Sequence, residues 1–184
     1  MRFDDPAYLA AWRERREWPA IHNAMSDFAA AHMRGNFLLD LGCAYGLLGA
    51  RLASENGGLP CAGIEANETT IRAAQDAGVP IRFYKLKITR DTLPALSAIL
   101  DETRARTVVA RRILPELWGE DLEGGRLFAD ALAKAGVREL LIEGRVVSER
   151  STNALRSIDA EVDLLSLRFR EANRSGALSY LVLR

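Results

Sequence analysis

Short apolar runs alternate with longer amphipathic stretches along most of this chain, and that rhythm constrains its fold more than any other feature. The runs are a first strand at residues 37–41, CAGIE at 61–65, IRFYKLKI at 81–88, RTVVA at 106–110 and RELLIEG at 138–144. Each is too short for a globular helix and rich in the aliphatic residues of a buried strand. Between them lie helical patterns with recognisable ends. One covers 46–56 and stops at Asn56-Gly57-Gly58, and the next runs from Asn67 to Ala77 and closes on Gly78. A third opens with Thr92 and Pro94, and a fourth spans roughly 121–135 before Gly136. Strand–helix–strand units of this kind cross over right-handed and build a parallel sheet, so the expected class is α/β.

The two ends break the rhythm. Asp5 and Pro6 read as the N-cap and first position of a helix reaching about Glu17, and Pro19 restarts a second helix that Gly35 stops. Towards the other end a short helix is expected near 151–158. The stretches EVDLLSLRFR and LSYLVLR then read as strands. Only EANRSGA separates them, short enough for a hairpin, so one must run antiparallel to the other. No internal repeat or low-complexity segment interrupts the pattern.

With 184 residues the chain can bury one sizeable core but not two comfortable ones, so a single domain spanning 1–184 is expected. We divide it into an N-terminal helical lid or extension at 1–35 and a core at 36–184. Its 25 basic and 25 acidic residues balance. The molecule as a whole therefore has no field to hold it on nucleic acid or an anionic membrane. No apolar run approaches the roughly 20 residues that span a bilayer, and MRFDDPAYLAAW lacks the apolar centre of a signal peptide. A cytoplasmic location is expected. The two cysteines, Cys43 and Cys61, fit a reduced compartment, and with two distant histidines they make no zinc spacing.

The chemistry concentrates in LLDLGCAYGLLGARLA, residues 38–53. A buried strand carries Asp40 to its end and turns on Gly42, Cys43, Ala44 and Gly46 before a helix begins. Such a turn brings backbone against a ligand. Nicotinamide and flavin sites need G-x-G-x-x-G, whose third glycine lets the helix pack close; here Leu47 occupies that slot. An acid two residues before the first glycine, with small residues at alternate positions, is a different pattern.

That pattern resembles the first motif of the class I S-adenosylmethionine-dependent methyltransferases, an acidic residue followed by G-x-G-x-G. The resemblance covers about residues 37–184. It implies a three-layer Rossmann-like fold, with a mostly parallel seven-stranded sheet, a C-terminal antiparallel hairpin and two helices in front. It implies S-adenosylmethionine as cofactor, with Asp40 and the turn at its methionine end. The physics agrees: an acid suits the ammonium, and amides at a helix start suit the carboxylate. Ala44 stands where the family has its middle glycine, which costs little where φ is negative. Glu65, 19 residues after Gly46, ends the second strand beside Ala66 and matches the carboxylate that accepts hydrogen bonds from both ribose hydroxyls. The acid that often reads the adenine amino group is replaced by Lys87-Ile88, so backbone groups there, or Asp91, are expected in its place.

The methyl acceptor is less marked. The fourth strand runs into VVARRILPELWGED, which brings Arg111, Arg112 and Glu116 to the C-terminal side of the sheet, where ligands gather in this fold. Glu143 ends the fifth strand, with Arg145 after it. One reading makes an arginine the anchor of an anionic acceptor, with Glu116 or Glu143 as base or orienting group. The other makes the same residues an internal network that stiffens the rim. Adjacent residues point to opposite sides of a strand, so one arginine is expected in the cleft and the other paired with a carboxylate such as Glu116 on the outer side. His22 is a further catalytic candidate, in an N-terminal segment whose Tyr8, Trp12 and Trp18 either cover an acceptor pocket or pack on the sheet. The N/D-P-P-Y/F/W and Pro-Cys signatures of two DNA-methylating chemistries are absent. The near-bare fold points to a small-molecule acceptor, or one presented by a partner. A non-catalytic binding or scaffolding module of the same fold is the alternative.

Overall fold

In the computed structural model, which describes residues 5–144 and 153–184, the five apolar runs become parallel strands. They are β1 (Leu38–Leu41), β2 (Cys61–Glu65), β3 (Arg82–Lys85), β4 (Thr107–Arg111) and β5 (Glu139–Glu143). A final hairpin adds β6 (Phe169–Ser175) and β7 (Leu178–Leu183), and the single sheet has the order β3-β2-β1-β4-β5-β7-β6. Every residue of β1, β4 and β5 is buried, because helices cover both faces of these central strands. That double cover is why their sequences are near-continuous apolar runs.

The helices are α1 (Pro6–Arg15), α2 (Asn23–His32), α3 (Leu47–Glu55), α4 (Glu68–Asp76), α5 (Leu93–Thr103), α6 (Leu114–Trp118), α7 (Leu122–Lys134) and α8 (Ile158–Leu165). Alternation along each strand sorts them into two layers. Leu39, Leu41, Ile64, Val108 and Ile142 face the core formed with α5, α7 and α8, where Trp118, Phe128 and Phe169 are the largest buried groups. Leu38, Val109 and Leu141 face α2 and α3. α1 lies outside this second layer, with Trp12 packed among Leu47 and Ala50 of α3 and Ala74 of α4. The result is a three-layer α/β sandwich with an antiparallel hairpin at one edge.

Capping fixes several helix starts. Asp5 accepts from Ala7 N–H at 2.9 Å, Asn67 from Thr69 N–H at 2.9 Å and Asp121 from Gly124 N–H at 2.9 Å. Among the described residues no helix is long and apolar enough to cross a membrane.

Three local expectations are corrected. The helix expected near 151–158 begins only at Ile158, where Ser157 Oγ accepts from Ala160 N–H at 3.3 Å; residues 151 and 152 lie outside the described residues. The first half of EVDLLSLRFR is therefore helix, with Leu164 and Leu165 turned into the core. The strand β6 instead occupies the expected linker, and the hairpin turns tightly at Gly176 and Ala177. As the sheet's edge, β6 is mostly solvent-exposed, so its sequence carries no apolar alternation. The short α6 was not expected, and the rim residue Arg145 lies outside the described residues.

Candidate active site

The sheet order reverses direction between β1 and β4, and the crevice beyond the strand ends at such a point is where this class of sheet binds ligands. Asp40 stands on β1 beside Val109 of β4 and Gly63 of β2. Its side chain points to the α3 layer, fully buried, and accepts a hydrogen bond from Gly49 N–H at 3.1 Å. Gly49 permits that approach: a Cβ there would lie 3.1 Å from Asp40 Cβ and from Cys61 Sγ. The first turn of α3 thus delivers an amide onto a carboxylate, a favourable pairing at a helix N-terminus. Burial still raises the Asp40 carboxyl from 3.8 to about 7, with Glu65 adding to the rise and Gly49 N–H and Arg111 opposing it.

After β1 the chain passes through the left-handed region three times, at Gly42 (φ +62), Ala44 (φ +49) and Gly46 (φ +71). Ala44 is thus not in the negative-φ state that would make its replacement of glycine cheap. Gly46 also lies too close to Ile81 for a side chain, since a Cβ would meet Cδ1 at 2.4 Å. The Cys43 thiol is buried and pushed up by desolvation and by Asp40, so it is inert as a nucleophile. Glu65 ends β2 facing this turn. Its Oε2 accepts from Ala44 N–H at 3.0 Å and its Oε1 from Asn67 N–H at 2.8 Å.

A small cavity of about 30 Å³ opens beside the turn. Asp40, Gly42, Cys43 and Arg111 line it from the sheet side, and Tyr8, Pro19 and His22 from the N-terminal segment. The segment thus covers the switch point. Arg51 fastens it, donating to Asn23 Oδ1 at 2.7 Å and Pro19 O at 3.5 Å. His22 is buried, and its Nδ1 has no hydrogen-bond partner among the described residues. Loss of water, then the Arg111 and Arg51 charges, lower its pKa from 6.5 to about 3, so it is a neutral imidazole.

Arg111 and Glu143 are register partners on β4 and β5, which places their side chains on one face. Arg111 Nε lies 2.5 Å from Glu143 Oε2. Arg112, just past the strand, takes φ +53, donates its backbone N–H to Glu143 O at 2.7 Å and swings its own Nε to 2.5 Å from Glu143 Oε1. The left-handed backbone at Arg112 thus brings both guanidiniums to one carboxylate, Glu143, while Arg111 also lines the cavity. Glu116 is exposed on α6. Ile88 packs into the core with Leu93 and Leu96, leaving only its backbone for a ligand. Lys87 is exposed, and its carbonyl accepts from Thr92 Oγ1 at 2.8 Å. Ala66 and Asp91 are also exposed.

The structure thus gathers His22, Asp40, Gly42, Cys43 and Arg111, with Ala44 and Glu65 adjoining. Tyr45, which lines the cavity, and Arg51 were not singled out from sequence, although Tyr45 sits inside the motif itself. Trp12 and Trp18 stack on each other, ring centroids 4.2 Å apart, rather than on the cavity. Among the described residues no three His, Cys, Asp or Glu side chains gather to hold a metal ion.

No family model and no curated protein matches the sequence. Solved structures do match by shape. Monomeric WbdD superposes with a TM-score of 0.66 at 18% identity over 95% of this chain and 44% of its own. An O-methyltransferase family protein from Burkholderia thailandensis gives 0.62 at 15% identity over 97% of this chain and 58% of its own. The mitomycin 7-O-methyltransferase MmcR gives 0.59 at 16% over 98% and 58%. This is the class I methyltransferase fold. WbdD is a bifunctional kinase-methyltransferase, and the present chain spans less than half its length. Within the methyltransferase fold, the turn after β1 and the carboxylate ending β2 occupy the two strand ends beside the switch point.

Proposed function

We propose that this protein transfers a methyl group from S-adenosylmethionine to a small-molecule acceptor, free or presented by a partner. The observation that carries the reading is the pairing of a buried acid with a triply left-handed turn. Asp40 and the Gly42–Gly46 turn sit at the switch point, and Glu65 faces the same turn from the next strand. These residues suit the cofactor's chemistry. Asp40 would hold the ammonium, amides at the start of α3 the carboxylate, and Glu65 the ribose hydroxyls. Backbone at Lys87 and Ile88 would border the adenine.

When bound, the cofactor supplies an activated methyl on a sulfonium, and the protein's task is alignment. Arg111 and neutral His22 line the cavity and would orient the acceptor, His22 by a hydrogen bond through its unpartnered nitrogen. Glu143 is engaged by two guanidiniums and serves to fix Arg111 rather than to take a proton. The N-terminal segment would exclude water, and must shift to admit a ligand larger than the present cavity.

Calorimetry with S-adenosylhomocysteine and NADH, followed by an acceptor screen with methyl-labelled S-adenosylmethionine, tests the proposal. Binding of the sulfur nucleoside with label transfer supports it. NADH binding without a response to the sulfur nucleosides overturns the cofactor, and nucleoside binding without transfer to any acceptor favours the non-catalytic module.

A further inference from the structure

A left-handed alanine costs energy that glycine avoids, so a turn that keeps one must be held there. Ala44, at φ +49, is so held. Its N–H donates to Glu65 Oε2 at 3.0 Å, while Glu65 Oε1 accepts from Asn67 N–H at 2.8 Å. One carboxylate therefore ties together two turns, that between β1 and α3 and that between β2 and α4. The backbone reinforces the join, with Cys43 N–H donating to Ile64 O at 3.0 Å.

We propose that Glu65 is a positioning residue for the glycine turn, its carboxylate clamping Ala44 in the left-handed state before any nucleoside binds. Bonds from N–H donors to an ionised acceptor are the stronger kind, and each oxygen keeps a second lone pair for a ribose hydroxyl. The clamp and the ribose contact are thus compatible. The clamp stands on the distances alone; its consequence for affinity rests on the proposed cofactor.

The test uses the full chain with Glu65→Ala, Ala44→Gly and the double variant. In ligand-free protein, NMR-detected hydrogen exchange at the Ala44 amide should speed up roughly 10- to 100-fold in Glu65→Ala, the effect of losing a bond to a charged acceptor. The β1 amide of Leu39 should keep its parent rate. Unchanged exchange at Ala44 overturns the clamp, whatever the protein binds. The second readout is affinity for S-adenosylhomocysteine. Glu65→Ala should weaken it, and adding Ala44→Gly should restore roughly 5- to 30-fold, because glycine takes the left-handed state without the alanine penalty. A carboxylate that only reads ribose gives no restoration, and that result overturns the proposal. If the parent does not bind this nucleoside, the cofactor reading fails and the exchange readout alone decides the clamp. Should Glu65→Ala fail to fold, folding rescued by Ala44→Gly supports the clamp and absence of rescue overturns it.

Discussion

His22 and Asp40 line one cavity, and burial drives both toward their uncharged forms. The imidazole is lowered to about 3 by desolvation, then by Arg111 and Arg51; the carboxyl is raised to about 7 mainly by desolvation. Both groups are biased toward their uncharged forms before any ligand arrives, and they respond to pH in opposite senses.

The signs can be worked out for stability. Between about pH 3 and 6.5 the unfolded chain protonates His22 and the folded protein does not, so this group's contribution falls as pH drops. Between 3.8 and about 7 the folded protein keeps a proton on Asp40 that the unfolded chain has lost, so its contribution falls as pH rises. In the shared window the two nearly cancel. Melting temperatures from pH 4 to 7.5 should separate them. Relative to the parent, Asp40→Asn should gain stability as pH rises and His22→Phe should gain it as pH falls. Three parallel profiles would exclude opposed titrations.

Cofactor binding should carry the Asp40 titration too. An ammonium needs the ionised carboxylate, so affinity for S-adenosylhomocysteine should rise with pH up to about 7 and then level off, with proton release on binding. Asp40→Asn should flatten this profile and weaken binding by about 1–3 kcal/mol, the scale of a bond to a charged group. Calorimetry in two buffers of different ionisation enthalpy measures both. Equal proton release in parent and variant would place the ammonium elsewhere.

The two arginines on Glu143 should differ in what they hold. The Arg111 and Glu143 side chains are only 6% and 10% exposed, whereas that of Arg112 is 40% exposed. Arg111→Met should cost about 3–5 kcal/mol by breaking a buried pair. Arg112→Ala, at a half-exposed position, should cost about 1 kcal/mol or less. Chemical denaturation of both variants checks the order, and equal losses would mean that Arg112 alone can neutralise the carboxylate.

Much of this was legible because doubly covered strands write themselves as apolar runs. The sequences of β1, β2, β4 and β5 needed nothing else, and Asp40 stood out as an acid inside an apolar run that leads straight into the glycine turn. What escaped depended on neighbours. The pairing of Arg111 with Glu143 follows from the register of β4 on β5, which no local pattern encodes. Arg112 and Ala44 take left-handed states that their residue types disfavour, held by contacts to Glu143 and Glu65. The second half of α8 reads as the start of a strand because Val162, Leu164 and Leu165 suit either period over so short a run. Its signal was the cap at Ser157, with Asp159 and Glu161 in the first turn.

The N-terminal extension should divide in two under truncation. Reading residues 1–35 as a lid over an independent core leads one to expect that the sheet survives their removal, but α2 does not behave as a lid. Its Met25, Phe28 and Ala29, with Met33 just beyond it, are buried against Leu38, Leu52, Val109 and Leu141 in the layer on one face of the sheet. At about 1.5–3 kcal/mol for each large side chain, re-exposing that contact consumes most of a typical folding stability of about 5–15 kcal/mol. Removal of residues 1–34 should therefore abolish cooperative melting. α1 contributes chiefly Trp12, stacked on Trp18 beside α3 and α4, and Tyr8 at the cavity. Removal of residues 1–17 should leave a folded sheet with a lowered melting temperature and an opened cavity. Circular dichroism melts of the two truncations make the comparison, with nucleoside affinity measured on the shorter deletion. A cooperative melt for the protein lacking 1–34 would show that α2 is a cover after all.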